Sequence, residues 1–351
     1  MIDRIINRII GPSLSLLQAM KKMDVENIKT LFVFEDDQFV EILTIGDIQR
    51  AIIKGISLSE PVSEVLDEHK VYATLAESRE QIAEKMRLMR AEVMPVLDDD
   101  GNLKDVWFWG DLFNKSEAPF REPIDLPVVI MAGGKGTRLK PLTNVLPKPL
   151  IPVGDKTILE IIMDQFESIG CHKFYMSVNY KSDLMRFYID QLEHKYDIDF
   201  FEEPKPLGTI GSVSLLKGKI DKPFFVSNCD IIIEQDFRDV YDYHQSNQNE
   251  LTIVTAVKSF KIPYGVIEAA EDGLLTGITE KPETTYLINT GLYILNPDLI
   301  AEIPEGEFFH ITDLITKIMD RGARVGCFPV SDNSLKDMGE WPEYLKMINV
   351  L

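Results

Sequence analysis

A chain of 351 residues with 45% hydrophobic and 27% charged side chains is ordinary for a soluble globular protein and long enough for two domains. Lysine and arginine number 37 against 57 acidic residues. The net charge of −20 excludes a general basic face for nucleic acid or an anionic membrane, so anions must be held by local pockets.

Arg4 and Arg8 interrupt the apolar stretch Ile2 to Ile10, which reads as neither a signal peptide nor a membrane span. Three widely spaced cysteines, Cys171, Cys229 and Cys327, argue against a disulfide framework and for a reducing compartment. A cytoplasmic location is expected. The N-terminal third repeats itself. Leu16, Met20 and Met23 fall at i, i+4, i+7 of one helix, and Ile82, Met86 and Met89 do so on another, opened by Ser78 and Gln81 as a capping box. Each helix leads into a strand and an acidic turn, Phe32 to Asp37 and Pro95 to Asp100, then into a second strand ending in Gly46-Asp47 or Gly110-Asp111. Two copies of a βαββα-like unit, about 1–62 and 63–118, fit this pattern.

This repeat resembles a tandem pair of CBS domains, modules that commonly bind adenine nucleotides and regulate an attached enzyme or channel. The resemblance implies a ligand site at Thr44 and Asp47, which match that family's Thr-x-x-Asp, where hydroxyl and carboxylate hold phosphate and ribose. The second copy has Phe108 in place of the threonine, between Trp107 and Trp109, and loses the hydroxyl. An aspartate after a strand is also a common helix cap, and a packing and dimerisation module is the alternative.

A polar segment from Asn114 to Pro127, carrying Pro119, Pro123 and Pro127, separates two patterns and predicts a domain boundary with a linker at 119–125. In residues 126–351, strand-like runs alternate with helical ones: Phe174 to Asn179, Phe224 to Asn228, Leu251 to Val257 and Leu292 to Leu295, with a helix over Ile158 to Ile169. The pattern predicts an α/β, Rossmann-like domain with a mixed, mostly parallel sheet, whose ligands gather at the carboxyl ends of the strands.

The apolar strand Val128 to Ala132 feeds Gly133, Gly134, Lys135, Gly136, Thr137 and Arg138, and Lys148 follows between Pro147 and Pro149. Glycines let backbone amides approach an anion where a Cβ would clash, and the cations sit where phosphate oxygens would lie. The spacing is neither that of the P-loop nor that of the dinucleotide fingerprint. A lone glycine loop is more often a tight strand-to-helix turn, so the downstream residues decide. Phe224 to Asn228 leads to Asp230, where a hard oxygen ligand for Mg²⁺ would stand, and Asp337 supplies a second carboxylate. On its own Asp230 is more often a helix cap or turn residue, and the second acid is what favours a metal.

Seven motifs in order make residues 126–351 resemble the sugar-1-phosphate nucleotidyltransferases, also called nucleotide-sugar pyrophosphorylases. Ala132, Gly133, Gly134, Gly136, Thr137 and Arg138, with Pro141-Leu142-Thr143, match the nucleotide loop, and Pro147-Lys148-Pro149 matches the phosphate lysine. Glu203, Gly208 and Thr209 match the base- and sugar-lining loop. Asn228-Cys229-Asp230 and Asp337-Met338-Gly339 match the two metal aspartates, with cysteine where glycine is common. Glu280-Lys281-Pro282 matches the pair contacting sugar and phosphate, and Asn289-Thr290-Gly291 with Tyr293 the sugar-hydroxyl segment.

The resemblance implies attack of a sugar-phosphate oxygen on the α-phosphorus of a nucleoside triphosphate, with Mg²⁺ on Asp230 and Asp337. Arg138 would hold the leaving phosphates, while Lys148 and Lys281 neutralise the transferring and sugar-1-phosphate groups. A CBS pair ahead of a transferase resembles the bacterial guanylyltransferases that make GDP-glucosamine early in the legionaminic-acid route. GTP and glucosamine 1-phosphate are therefore the expected substrates, with mannose or glucose 1-phosphate and GTP, UTP or dTTP as alternatives. A non-catalytic nucleotide sensor is the reading from another class. A homo-oligomer is expected, without nucleic-acid or membrane partners.

Overall fold

The computed structural model describes residues 2–67, 70–89, 91–113 and 122–349, and the chain divides into two compact units, Met1–Glu122 and Pro123–Leu351. The expected linker at 119–125 lies partly outside the described residues. No helix among the described residues is long and apolar enough to cross a membrane.

In the first unit, β1 (Ile9–Ile10), α1 (Leu16–Glu26), β2 (Thr30–Glu35), β3 (Gln38–Thr44) and α2 (Ile45–Ile53) form one motif. It recurs as β4 (Ala73–Thr74), α3 (Arg79–Met89), β5 (Val93–Leu97), β6 (Leu103–Phe108) and α4 (Trp109–Leu112). Each motif carries a three-stranded sheet with one parallel and one antiparallel pairing, and Ile10 opposite Val33 corresponds to Ala73 opposite Val96. Leu16, Met20 and Met23 are buried, as are Ile82 and Met86. Met89 departs from the periodic expectation at 43% exposed, because it is the last residue of its helix.

The copies share a core in which Ile5, Phe32 and Ile42 meet Val93, Leu103 and Val106. They also exchange cations. Lys70 donates to the Ile42 carbonyl and to Asp47 Oδ2, 2.7 Å away. At the equivalent positions of the other copy, Arg4 donates to the Val106 carbonyl at 3.1 Å and to Asp111 Oδ2 at 2.6 Å.

The second unit is built on a seven-stranded sheet. Its members are β7 (Val128–Met131), β8 (Lys173–Val178), β9 (Asp197–Glu202), β10 (Phe224–Asn228), β12 (Leu251–Lys261), β15 (Glu283–Leu295) and β16 (Val325–Ser331), in the order β9-β8-β7-β10-β15-β12-β16. All neighbours are parallel except those of β15, which runs antiparallel to β10 and β12. Alternate side chains enter cores on opposite faces: Val128, Ile130 and Phe225 on one, Val129, Phe224 and Val226 on the other. Burial on both faces explains why these strands read as unbroken apolar runs.

Helix α5 (Ile158–Glu167) starts at a capping box of Thr157 and Glu160 and buries Ile158, Leu159, Ile162, Met163 and Phe166. A short strand β11 (Ile231–Ile233) pairs antiparallel with β17 (Leu335–Asp337), ahead of the terminal helix Trp341–Asn349. Between β12 and β15, the hairpin β13 (Val266–Ala269) and β14 (Leu275–Thr279) forms a separate two-stranded sheet.

Phe225 is fully buried, with ring centroids 5.2 Å from Phe166 and 6.1 Å from Phe237. Phe225→Ala should destabilise the second unit by about 3–5 kcal/mol, read as a lowered urea midpoint of the full chain. A loss below about 1 kcal/mol would contradict this packing.

Candidate active site

The parallel strands end together. Met131 is level with Ser177 and Asn228, and Val178 with Glu202, so residues 132–138, 203 and 229–230 emerge at one edge of the sheet. The glycine loop is pinned by its own backbone, Ala132 N donating to the Ser177 carbonyl at 3.0 Å and Thr143 Oγ1 to the Gly136 carbonyl at 2.8 Å. Gly136 has φ +60°, and a Cβ there would stand 2.8 Å from Thr143 Cγ2 and 3.0 Å from Lys148 Cβ. Glycine is therefore required, and the loop lies along the stem of Lys148. A Cβ on Gly134 meets nothing within 4 Å, and Lys135, Thr137 and Arg138 are exposed.

Lys148 and Asp230 are both buried, and the ammonium is ion-paired with Asp230 Oδ2. The β11–β17 ladder sets Ile231 opposite Asp337, and Met338 N donates to the Asp230 carbonyl at 2.8 Å. The pairing brings the two acids together. A Cβ on Gly339 would stand 2.7 Å from Asp337 Oδ1, 3.2 Å from Asp230 Oδ2 and 3.1 Å from Arg138 Nη2. The carboxylate oxygens are thus no farther apart than the sum of the first two distances, about 6 Å. Gly339 N donates to Asp337 Oδ1 at 2.7 Å and fixes it. Arg138 Nη1 donates to Glu340 Oε1 at 3.2 Å, and Trp341 Nε1 to the Lys140 carbonyl at 2.9 Å.

Among the described residues no group of three or more His, Cys, Asp or Glu is placed to hold a metal ion. The pair Asp230 and Asp337 still fits a hard divalent cation, which takes one or two carboxylates and completes its shell with phosphate oxygens and water. Burial, with the Asp230 charge beside it, pushes the Cys229 thiol up to about 12, so it is neither a nucleophile nor a thiolate ligand at neutral pH.

Glu203 is 6% exposed and faces the loop, its Oε1 lying 2.9 Å from where a Gly133 Cβ would stand. Oε1 accepts from Ser177 Oγ at 2.6 Å and Oε2 from Leu207 N at 3.2 Å.

Other expected residues are occupied in packing. Gly208, at φ +85°, abuts the backbone of Phe309, and Thr209 Oγ1 accepts from Ile311 N at 2.9 Å at the start of the helix Ile311–Asp320. Gly208 and Thr209 thus have structural partners of their own at this end of the sheet. Thr290 is 1% exposed and its hydroxyl donates to the Val254 carbonyl at 2.7 Å. Exposed Asn289 accepts through Oδ1 from Gly291 N and from the hydroxyl of Tyr293, which burial pushes up to about 12. Its amide nitrogen is the group left to a ligand. Glu280 and Lys281 sit on an exposed turn, Lys281 with φ +45° and its Nζ 3.9 Å from Glu280 Oε1, and are not drawn into the Asp230 cluster. In the first unit, Asp47 Oδ2 accepts from Thr44 N and Oγ1 at 2.7 and 2.8 Å, a helix cap completed by Lys70 and Arg50.

Ser177, Gly339, Glu340 and Trp341 join the site without having been singled out from sequence. Only Gly339 carried a signal, as part of Asp337-Met338-Gly339.

The family description of nucleotidyl transferases matches residues 127–351, and that of the CBS domain matches residues 1–54. The chain belongs to the nucleotidyl transferase family. This nucleotidyl transferase is 35% identical over 187 residues to a mannose-1-phosphate guanyltransferase of Aspergillus fumigatus, covering 51% of each chain. It is 36% identical over 181 residues to that of Saccharomyces cerevisiae, covering 49% of this chain and 50% of the relative. The chain thus spans about half the length of the curated relatives it matches. Among solved structures it is similar to HddC from Yersinia pseudotuberculosis, with 28% identity and a TM-score of 0.51 over 64% of this chain and 99% of that one. The same protein complexed with GMP-PN matches at 27% identity and TM-score 0.51, over the same shares.

Gly136→Ala should cost this nucleotidyl transferase about 1–3 kcal/mol, since it adds left-handed strain to a clash with Thr143 and Lys148. Urea unfolding checks it, and an unchanged midpoint would mean the loop is not pinned as described.

Proposed function

We propose that this chain transfers a guanylyl group from GTP to a sugar 1-phosphate, releasing pyrophosphate. The observation carrying this reading is the meeting of Asp230 Oδ2, Asp337 Oδ1 and Arg138 Nη2 beside Gly339, with Lys148 on the same aspartate. A phosphate oxygen of the acceptor attacks the α-phosphorus while the bond to the β-phosphate breaks, so positioning and charge supply most of the catalysis. Mg²⁺ held by Asp230 and Asp337 would draw the two anionic substrates together and offset their charge. Arg138, on the exposed side, holds the departing pyrophosphate through its fork of donors, and Lys148 neutralises the transferring phosphate. Lys281 and Glu280 meet the acceptor from the arm between β12 and β15. The acceptor phosphate is already ionised near neutral pH, so a general base is not needed.

Glu203 supports guanine. Its buried carboxylate offers adjacent acceptors beside the loop, matching the adjacent N1–H and N2–H₂ donors of guanine, whereas uracil or thymine sets carbonyl oxygens on both sides of a single N–H. The names of the relatives and the GMP-PN complex of HddC support the same base. For the acceptor, the CBS unit ahead of the transferase favours glucosamine 1-phosphate, whose product is GDP-glucosamine, and the Glu280 carboxylate suits an ammonium at C2. The named relatives support mannose 1-phosphate as the second reading. The CBS unit is assigned regulation by an adenine nucleotide near Thr44 and Asp47, in a homo-oligomeric enzyme.

A coupled pyrophosphate assay with Mg²⁺ across nucleoside triphosphates and sugar 1-phosphates tests the reading. Release with GTP and glucosamine 1-phosphate supports it, and release with mannose 1-phosphate alone moves the acceptor to the second reading. A flat grid alongside tight nucleotide binding would make the protein a sensor. Asp230→Asn should lower kcat by about 10²–10³, roughly 3–4 kcal/mol of barrier stabilisation, while leaving the circular dichroism spectrum intact. Wild-type turnover in that variant would remove Asp230 from the mechanism. Glu203→Gln should cut kcat/KM for GTP by about tenfold or more relative to UTP, because a carboxamide presents one acceptor and one donor in place of two acceptors. An unchanged ratio would place base selection elsewhere.

A further inference from the structure

We propose that Lys148 is the resident counter-cation of the Asp230 metal site, so that a divalent cation reaches Asp230 only when nucleotide phosphate arrives to take the lysine. The inference rests on the metal reading of Asp230 and Asp337 given above. The ammonium lies on Asp230 Oδ2, the same oxygen that faces Gly339 and the Asp337 carboxylate. Lys148 and Asp230 are each 8% exposed, so little water screens a second cation from the first. An ammonium on that oxygen occupies one of its lone pairs and repels an approaching divalent ion, so the two compete for Asp230.

The lysine is confined along its stem. Its Cβ and Cγ lie 3.0 and 3.4 Å from where a Gly136 Cβ would stand, and Pro147 and Pro149 flank it in a short 3₁₀ turn, so the stem is fixed and the ammonium end swings. The glycine loop runs beside that stem, and a phosphate seated there offers the anion that replaces Asp230. Arg138 has an exchange of the same kind open to it, held by exposed Glu340 through a bond that costs little to break. With Lys148 on Asp230 and Arg138 on Glu340, the acids of the site are partnered and resist a metal ion arriving alone. Nucleotide then acts as the key.

Mn²⁺ binding to the full-length protein without nucleotide, followed by electron paramagnetic resonance, tests the proposal. Lys148→Met should bind Mn²⁺ on the order of tenfold more tightly than wild type while its turnover falls, an opposed movement that a merely structural lysine would not give. Lys148→Arg, which keeps the cation, should exclude Mn²⁺ as wild type does, and Lys148→Met with Asp230→Asn should lose the gained affinity. Should Lys148→Met fold poorly, Lys148→Gln serves, with the rise in thermal midpoint on adding Mn²⁺ expected to exceed that of wild type. An active wild type that binds Mn²⁺ alone as tightly as Lys148→Met overturns the proposal and leaves the proposed function standing. Undiminished turnover in Asp230→Asn, with no Mn²⁺ bound by Lys148→Met, overturns the metal reading itself.

Discussion

Three facing residue pairs, Ile231 to Ile233 against Leu335 to Asp337, decide where the chemistry of this fold sits. Backbone pairing of this kind is blind to sequence distance, and here it joins the strand that presents Asp230 to a segment near the end of the chain. The Met338 amide extends the join to the Asp230 carbonyl itself. Everything charged in the site is placed relative to that ladder. Gly339 leaves the gap that Asp230, Asp337 and Arg138 surround, Glu340 meets Arg138, and Trp341 ties the same segment to Lys140, two residues beyond the arginine. Loop and C-terminal segment are thereby tied to one another.

The electrostatics follow from the same geometry. In a chain with a charge of −20, the candidate site places a few cations where the neighbouring acids already pair with them. Lys148 is buried against Asp230, and their mutual attraction offsets part of the desolvation penalty that each carries. Arg138 is exposed beside Glu340, where an ion pair is weak and exchange is cheap. The buried pair sets the architecture and the exposed pair keeps the arginine available.

Much of this was legible from residues alone, for physical reasons. Strands buried on both faces leave unbroken apolar runs, so Val128 to Met131 and Phe224 to Asn228 stand out, and their carboxyl ends had to carry the loops. The strand ending at Leu295 was visible only in its buried half, because Glu283 to Asn289 runs out into solvent and loses the apolar signal. Convergence of Asp230 with Asp337 could be stated as a requirement but not seen, since a three-residue ladder has no periodicity to detect. Gly208, Thr209 and Thr290 belong to motifs whose residue types also suit tight backbone packing, and the contacts with Phe309, Ile311 and Val254 show that use. Met89 kept the helical period but falls at the end of its helix and is 43% exposed.

Lys70 and Arg4 each neutralise an aspartate belonging to the opposite copy of the N-terminal repeat. The duplication is therefore not two autonomous beads on a string. Severing the copies would strand the Asp47 side chain, 2% exposed, without the lysine that accompanies it. The smallest heritable piece of this unit is the pair, and any exchange of the module between enzymes has to carry both halves across together.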